Sequence, residues 1–311
     1  MAARATRATL SASRAARLTE AVATGPLGAL SHDELGVIFD GLADPLQPVV
    51  AVALSSTCLG LRTPLGAALE VLKERHLRAE ALCRKMHTSC AQLRDADELE
   101  WTNIGLTADD MVTLVMILRT NGLPWLKLLY LNHNGFGDGG MQALFEGLDR
   151  GAAPSLQDLN LNYNQFGLVG AEALAAALRR GALPNLELLS LAGNPLGNQG
   201  VAALAMPELR KRPALVGLVL SNCDIDDEGV ASLFANLGKD DFKALVTLWI
   251  SQNKITDAGM STLATAIDAG GLPKLHSIPT NPHFDMFFLQ HNRASASAVQ
   301  AVKDALAKRS Q

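Results

Sequence analysis

A glycine-rich stretch at residues 135–140 is the first place where this chain could do chemistry. It reads Gly-Phe-Gly-Asp-Gly-Gly between a predicted strand and a predicted helix, with Asp158 further along. That order is typical of loops that hold the pyrophosphate of a dinucleotide. The same two glycine positions return in later segments: Gly137, Gly167 and Gly197, and Gly140, Gly170, Gly200, Gly229 and Gly259. A repeated structural position explains these glycines better, so we expect no cofactor.

A second cluster contains Cys83, His87 and Cys90, with His76 upstream, and suggests zinc. Structural zinc sites combine one close pair of ligands with a second close pair, and this spacing does not match that pattern. If one helix carries the three residues, they share a stripe, which favours a half-buried packing face. We therefore predict no metal ion at this cluster.

A third cluster is the acidic run at residues 224–228, Asp-Ile-Asp-Asp-Glu. It lacks the twelve-residue frame and the final bidentate glutamate of an EF-hand. Acids at the start of a predicted helix complement the helix dipole, which explains the run. The chain also contains no H-E-x-x-H, no G-x-S-x-G and no Walker loop. The sequence predicts a non-catalytic protein without cofactor or metal.

Six copies of one short phrase position the glycine-rich stretch and the acidic run. The phrase is Leu-x-x-Leu-x-Leu-x-x-Asn, with Cys223 replacing the asparagine once and phenylalanines in the last copy. The copies end at residues 134, 164, 194, 223, 253 and 292, so they lie 30, 30, 29, 30 and 39 residues apart. A fixed period of this length indicates a solenoid, in which each unit buries its apolar face against its neighbours.

Each unit is predicted to contain a strand, a turn and a helix. Strand alternation points Leu129 and Leu131 inward while Leu128 and Tyr130 point outward. Four places after the asparagine, polar residues are predicted to N-cap the helices, with Leu168 as the exception: Asp138, Asn198, Asp227 and Asp257. Four glycines are expected to close the helices in left-handed conformation: Gly122, Gly151, Gly181 and Gly270.

These phrases resemble the leucine-rich-repeat family, specifically its long-repeat, ribonuclease-inhibitor-like branch. The resemblance implies an α/β leucine-rich-repeat solenoid, with a curved parallel sheet on the concave face and helices on the convex face. It also implies that the asparagines form a hydrogen-bonded ladder between loops. A degenerate unit with Ala96, Leu99, Trp101 and Ile104 precedes the six copies, which makes about seven units over residues 93–311.

Residues 26–92 are predicted to form a small all-α region. Ser31 and Glu34 make a capping box for its first helix. The region resembles an F-box, which docks on the Skp adaptor of a cullin ubiquitin ligase, at eight positions: Leu30, Glu34, Leu35, Ile38, Leu42, Val49, Leu54 and Leu61. The alternative is a helical cap on the first repeat that buries Leu77, Leu82 and Met86.

Composition limits the partners and the compartment. A net charge of −4 and a pI of about 6.0 give no footprint for nucleic acid, and no apolar run could span a membrane. Four cysteines do not make a disulfide framework in a chain this long, which favours a cytoplasmic or nuclear location. Residues 1–25 are predicted to be a flexible basic extension. If they are instead an organelle transit peptide, an organelle is the alternative location.

The predicted function is non-catalytic binding of a partner protein on the concave sheet. The partner's identity is unknown, and nine outward residues are the candidate contacts: Tyr130, Asn132, Asp158, Asn160, Asn162, Ser190, Thr247, Trp249 and Phe288. Exposed aromatic residues are enriched at the energetic centres of interfaces. One alternative is a substrate receptor of a cullin-type ubiquitin ligase that uses the F-box-like region. Another, implied by the resemblance, is a GTPase-activating protein of the Ran type.

Overall fold

The computed structural model describes Phe39 and residues 42–57, 66–120, 122–149, 151–234, 236–238, 240–275 and 289–308. The chain divides into two compact units. Unit 1 is Met1–Asp95 with Met116–Leu123, and unit 2 is Ala96–Val115 with Pro124–Gln311. Among the described residues, no helix is both long enough and apolar enough to cross a membrane.

Helices and short strands alternate along the described chain. The helices are α1 (Val49–Thr57), α2 (Gly66–Lys85), α3 (Cys90–Arg94), α4 (Ala108–Arg119), α5 (Gly137–Phe145), α6 (Leu168–Arg179), α7 (Gly197–Leu204), α8 (Pro207–Arg210), α9 (Asp227–Phe234), α10 (Asp257–Asp268) and α11 (Ala296–Ala307). The strands are β1 (Glu98–Glu100), β2 (Leu128–Tyr130), β3 (Asp158–Asn160), β4 (Leu188–Ser190), β5 (Gly217–Val219) and β6 (Thr247–Trp249).

The six strands form one parallel sheet in chain order, β1 to β6. Each strand pairs with the strand of the next repeat at equivalent positions, so that Leu99 lies opposite Leu129 and Leu129 lies opposite Leu159. The middle residue of every strand is a buried leucine. The helices from α5 onward contact their successors in the same order, α8 excepted. The predicted α/β repeat solenoid with a parallel sheet is confirmed.

A ladder of asparagines links successive units through their backbones. The Nδ2 of the fully buried Asn164 donates to the carbonyls of Leu131 (2.9 Å) and Leu161 (3.1 Å). Its Oδ1 accepts from the amides of Asn134 (2.9 Å) and of the glycine that follows (3.0 Å). Its own amide donates to Oδ1 of Asn194 (2.8 Å). One side chain therefore satisfies backbone groups of two successive repeats. Without it, these buried groups would have no hydrogen-bond partner.

The ladder continues through the cysteine and into the last copy. At Cys223 the thiol contacts the carbonyl of Leu191 (3.3 Å), and burial raises the pKa of this thiol to about 12. Asn253 resumes the asparagine pattern by accepting from the amides of Cys223 and Ile225. Asn292 then donates to the carbonyl of Ile250 (3.0 Å).

The predicted N-caps are wrong. The acids among these residues form a second set of hydrogen bonds between successive repeats. Asp227 is the first residue inside α9, and its carboxylate accepts from the amides of Thr256 (2.8 Å) and Gly259 (2.9 Å) at the start of α10. Asp138 likewise accepts from the amide of Gly170 in α6 (2.8 Å). These acids therefore complete the first turn of the next helix along the chain, not of their own. Asp257 accepts from Ser295 in the same manner.

Two of the four predicted glycine caps are confirmed. Gly181 and Gly270 have φ of 83° and 87°, the left-handed values that close α6 and α10. Gly122 and Gly151 are not in this region of φ, and Gly147, with φ of 92°, follows α5 instead. Arg180 reaches the end of α5 from the next unit and donates to the carbonyls of Phe145 and Leu148.

Unit 1 is helical in its described part. Its buried residues include Phe39, Leu72 and Leu82, and Arg94 forms an ion pair with Asp44 (2.9 Å), whose pKa burial raises. Leu82 is buried as expected, Met86 is partly buried, and Leu77 is 60% exposed, so the prediction for Leu77 is wrong. The capping box and four of the F-box-like positions before residue 39 lie outside the described residues, as does Leu61.

The ladder gives a direct test of stability. Asn164→Ala should lower the free energy of unfolding by about 3 kcal/mol, because several buried backbone groups lose their partners at once. Urea unfolding followed by circular dichroism measures the change. The exposed Gln199→Ala in α7 should change it by less than about 0.5 kcal/mol. Equal stabilities of the two variants would contradict the role given to Asn164.

Candidate protein-binding surface

The outward side chains of the sheet form one continuous surface within unit 2. We call it the sheet face and define it by the first and third residues of β1 to β6: Glu98, Glu100, Leu128, Tyr130, Asp158, Asn160, Leu188, Ser190, Gly217, Val219, Thr247 and Trp249. Most of these residues are exposed or partly exposed, whereas the middle residue of each strand is buried. Ser190 is the exception among the predicted contacts, because it is only 6% exposed.

One end of the sheet face is acidic and contains Tyr130. The hydroxyl of Tyr130 donates to Oδ2 of Asp158 at 3.2 Å. Burial first, and then the charge of Asp158, raises the pKa of Tyr130, with Glu98 and Glu100 adding to the effect. All twelve residues of the sheet face lack Lys, Arg and His, so no basic side chain on this face offsets the three carboxylates.

The carboxyl group of Asp158 lies where burial disfavours its charged form. Burial raises the pKa of this carboxyl, Glu98 raises it further, and the Tyr130 hydroxyl opposes them. Among the described residues, the buried Oδ1 of Asp158 has no hydrogen-bond partner, while its Oδ2 accepts from the Tyr130 hydroxyl. A charged oxygen that is buried and unpaired costs folding free energy. An incoming cation or hydrogen-bond donor would remove that cost.

The predicted asparagine contacts also serve the turns after the strands. Oδ1 of Asn132 accepts from the Thr102 hydroxyl (3.0 Å), and Oδ1 of Asn162 accepts from the Ala192 amide (2.6 Å). Oδ1 of Asn160 accepts from the amide of Asn162 (3.1 Å). The structure therefore places these residues beside the acidic end, and it uses their oxygens to hold the loops.

Sequence reasoning missed an aromatic pair at the edge of this surface. The rings of His133 and Tyr163 stack with centroids 4.4 Å apart and planes 12° apart, and both side chains are exposed. Each lies immediately before a ladder asparagine, with φ of 60° and 56°. Gly193 holds the next such position, where a Cβ would overlap the Tyr163 ring. The positions before the asparagines could have suggested this row, since every unit repeats them.

The other end of the sheet face carries Thr247 and Trp249, both partly exposed. Phe288, the remaining predicted contact, lies outside the described residues. The sheet therefore brings Tyr130 and Asp158 together as neighbours, and it places Trp249 on the far strand. Tyr130 lies on β2 and Trp249 on β6, so four strand spacings of ~4.8 Å separate them by ~19 Å.

The glycine cluster has a structural role. Gly135 and Gly137 adopt φ of 68° and 62° in the turn, and a Cβ at Gly140 would overlap the ring of Phe136. A glycine-rich loop that cradles phosphates needs free amides, but the amides of Gly135 and Gly137 donate to Asn164. The turn is therefore part of the repeat.

The other two candidate sites also lack the arrangement that a metal needs. Helix α2 ends at Lys85, so His87 leaves the predicted stripe, and the described residues contain no group of three possible ligands. In the acidic run, Asp224 forms an ion pair with Lys254 (3.0 Å), and Asp226 accepts from the side chain of Asn198 (2.6 Å). These carboxylates already have protein partners.

Comparison with known families identifies the repeats. Five segments match the family described as Leucine Rich repeat, at residues 122–145, 152–175, 182–205, 215–234 and 245–264. Together with the six-stranded parallel sheet, these matches show that the array is a leucine-rich-repeat solenoid. A search of curated proteins finds no match.

The carboxyl of Asp158 predicts a stability that depends on pH. The pKa of Asp158 in the folded state lies above its ordinary value of 3.8. The folded state therefore loses stability as the pH rises from 3.8 to the folded-state pKa, because Asp158 ionises less readily in the folded chain than in the unfolded chain. Asp158→Asn keeps the acceptor for Tyr130 but cannot ionise. The variant should be more stable than the native chain at neutral pH, and the difference should vanish below the ordinary pKa.

Urea midpoints measured from neutral pH down to about pH 3, below the ordinary pKa of an aspartate, test this dependence. Glu172→Gln, at an exposed position of α6, is the matched control and should leave the midpoint unchanged at every pH. A destabilised Asp158→Asn variant at neutral pH would show that the ionised carboxylate supports the fold.

Proposed function

We propose that the leucine-rich-repeat array binds a partner protein on the sheet face and catalyses no reaction. The observation that carries this proposal is the open outward side of the sheet, where most positions hold polar or aromatic residues, whereas every middle residue of a strand is a buried leucine. Arrays of this kind typically serve as binding scaffolds, and large patches with aromatic residues mark protein interaction sites. The ribonuclease-inhibitor-like subtype is part of the proposal, supported by units of 29 or 30 residues that each contain a helix.

The charge and geometry of the sheet face define the partner's chemistry. A segment that contacts both Tyr130 and Trp249 must span ~19 Å, which an extended chain of about six residues achieves. Over the acidic end, the partner must present Lys or Arg to Glu98, Glu100 and Asp158. Such a side chain would supply the donor that Oδ1 of Asp158 lacks. Arginine suits this position best because its guanidinium pairs two donors with one carboxylate.

Two aromatic substitutions test the surface. Once proximity labelling in the native cell has identified the partner, calorimetry with the purified proteins gives the Kd. Tyr130→Ala and Trp249→Ala should each weaken binding at least tenfold, because buried aromatic residues carry much of an interface's energy. Val169→Ala, on the exposed side of α6, should leave the Kd unchanged. Unchanged binding by both aromatic variants would exclude the sheet face.

A second candidate function is recruitment of the Skp adaptor by residues 26–92, which would make the protein a ubiquitin-ligase substrate receptor. Val49, one of the positions that resemble an F-box, is 68% exposed at the start of α1, and Leu77 is 60% exposed. Exposed apolar side chains on a small helical unit support a docking role.

Direct binding to the purified adaptor tests this second candidate. Leu35→Asp and Val49→Asp should abolish a micromolar interaction, because each places a charge in an apolar contact. Glu70→Ala, on the exposed surface of α2, is the control and should bind normally. An absence of binding by the native chain at micromolar concentration would end the adaptor hypothesis.

GTPase activation of the Ran type stays a prediction of fold resemblance alone, and single-turnover GTP hydrolysis is its test. We further propose a cytoplasmic or nuclear location, with an organelle as the alternative if residues 1–25 are a transit peptide.

A further inference from the structure

Two cysteines of unit 1 lie side by side although seven positions separate them in sequence. Sγ of Cys83 is 3.5 Å from Sγ of Cys90, and both thiols are free. Cys83 is only 2% exposed at the end of α2, while Cys90 begins α3 and is partly exposed. The pair therefore combines one buried cysteine with one that is partly exposed.

Hydrogen bonds on both sides hold the two thiols in place. At the end of α2, the amides of His87 and Thr88 donate to the carbonyls of Arg84 (3.2 Å) and Cys83 (3.0 Å). His87 is left-handed, with φ of 50°, which completes a Schellman closure in which Cys83 is the third residue from the helix end.

At the start of α3, Ser89 and Gln92 form a reciprocal capping box around Cys90. The juxtaposition of the sulfurs thus follows from two defined helix ends joined by a short turn. It does not depend on a mobile side chain finding its neighbour.

We infer that Cys83 and Cys90 form a thiol–disulfide exchange site that low-molecular-weight disulfides, such as oxidised glutathione, convert to an intramolecular disulfide. The Cys90 thiolate attacks the small disulfide, forms a mixed disulfide and releases one glutathione thiolate. The Cys83 thiol then gives its proton to the released glutathione thiolate, and its sulfur attacks Sγ of Cys90, which releases the second glutathione as a thiolate that takes up the proton lost by Cys90. Two protein thiols are oxidised by two electrons, and one glutathione disulfide is reduced to two thiols.

The order of attack follows from the burial of Cys83 and the greater exposure of Cys90. Burial first, and then the neighbouring Cys90, raises the pKa of the Cys83 thiol to about 12, so this thiol stays protonated at neutral pH. Cys90, the more exposed of the two, meets the reagent first. Closing the bond requires the sulfurs to approach by about 1.5 Å, to the ordinary S–S length of about 2.05 Å. Rotation of side chains at two adjacent helix ends can supply that movement.

Cys223 provides an internal comparison. It is fully buried in unit 2, and its sulfur contacts the carbonyls of Leu191 and Ser221. No second thiol of the described residues lies beside it. We expect Cys223 to stay reduced under conditions that oxidise the pair, because reactivity requires both access and a partner sulfur.

Peptide mapping of the full chain tests the inference directly. The reduced protein is incubated with oxidised glutathione, free thiols are blocked with N-ethylmaleimide, and trypsin cleaves after Arg84 and Lys85. Cys83 and Cys90 then fall in separate peptides, 79–84 and 86–94, which only a disulfide can join. The linked peptide pair should exceed glutathionylated peptide 86–94 at least about tenfold, because the second thiol is already in place.

Three variants make the result specific. Cys90→Ser and Cys83→Ser should each abolish the linked pair. Cys58→Ser, which removes the fourth cysteine of the chain, should leave it intact. Circular dichroism checks that each variant is folded. Dithiothreitol should separate the peptides again, and oxidation should raise the urea midpoint of the native chain but not of Cys90→Ser. A stable mixed disulfide without linkage, or linkage of either peptide to Cys58, would overturn the inference.

Discussion

The described repeats of this solenoid contain buried backbone groups that a side chain of a neighbouring repeat satisfies, and the rest of the structure depends on that constraint. Asn164 shows this most directly. Its side-chain Nδ2 donates hydrogen bonds to carbonyls of two successive repeats, and its side-chain oxygen accepts hydrogen bonds from amides of the preceding repeat. Asp227 applies the same logic to the helix layer, where it completes the first turn of the next helix. Arg180 closes the end of the preceding one. Stability therefore accumulates at the joints between units.

The strands are short because each one only pairs with the neighbouring strands and presents side chains on the outward side of the sheet. In three residues, one leucine enters the core and two side chains face outward, so six strands yield a surface of twelve positions. The inner leucines and the ladder fix that surface, which leaves the outward residues free to vary in chemistry. Asp158 uses this freedom at a cost, because burial of its carboxylate opposes the fold.

Much of the unit could be predicted from the sequence because its signals are local. The spacing of the leucines gave the strands, the asparagines gave the turns, and the outward positions of Tyr130 and Trp249 followed from strand alternation. Asp138 and Asp227 were predicted at helix starts, yet they cap the adjacent helix. Local patterns identify a residue suited to capping, but which amide lies nearest depends on how closely two units approach. The exposure of Leu77 depends on packing for the same reason.

The sequence by itself determined the repeat, its period and the alternation that separates core from surface, since each rests on contacts a few residues apart. Only the tertiary structure decided which distant residues meet. It stacked His133 on Tyr163, left one oxygen of Asp158 without a partner in the described part of the chain, and brought Cys83 to Cys90 where the sequence predicts a single helical stripe. These contacts arise from the offset of one unit against the next and from a helix that ends before His87. Neither follows from residue spacing alone.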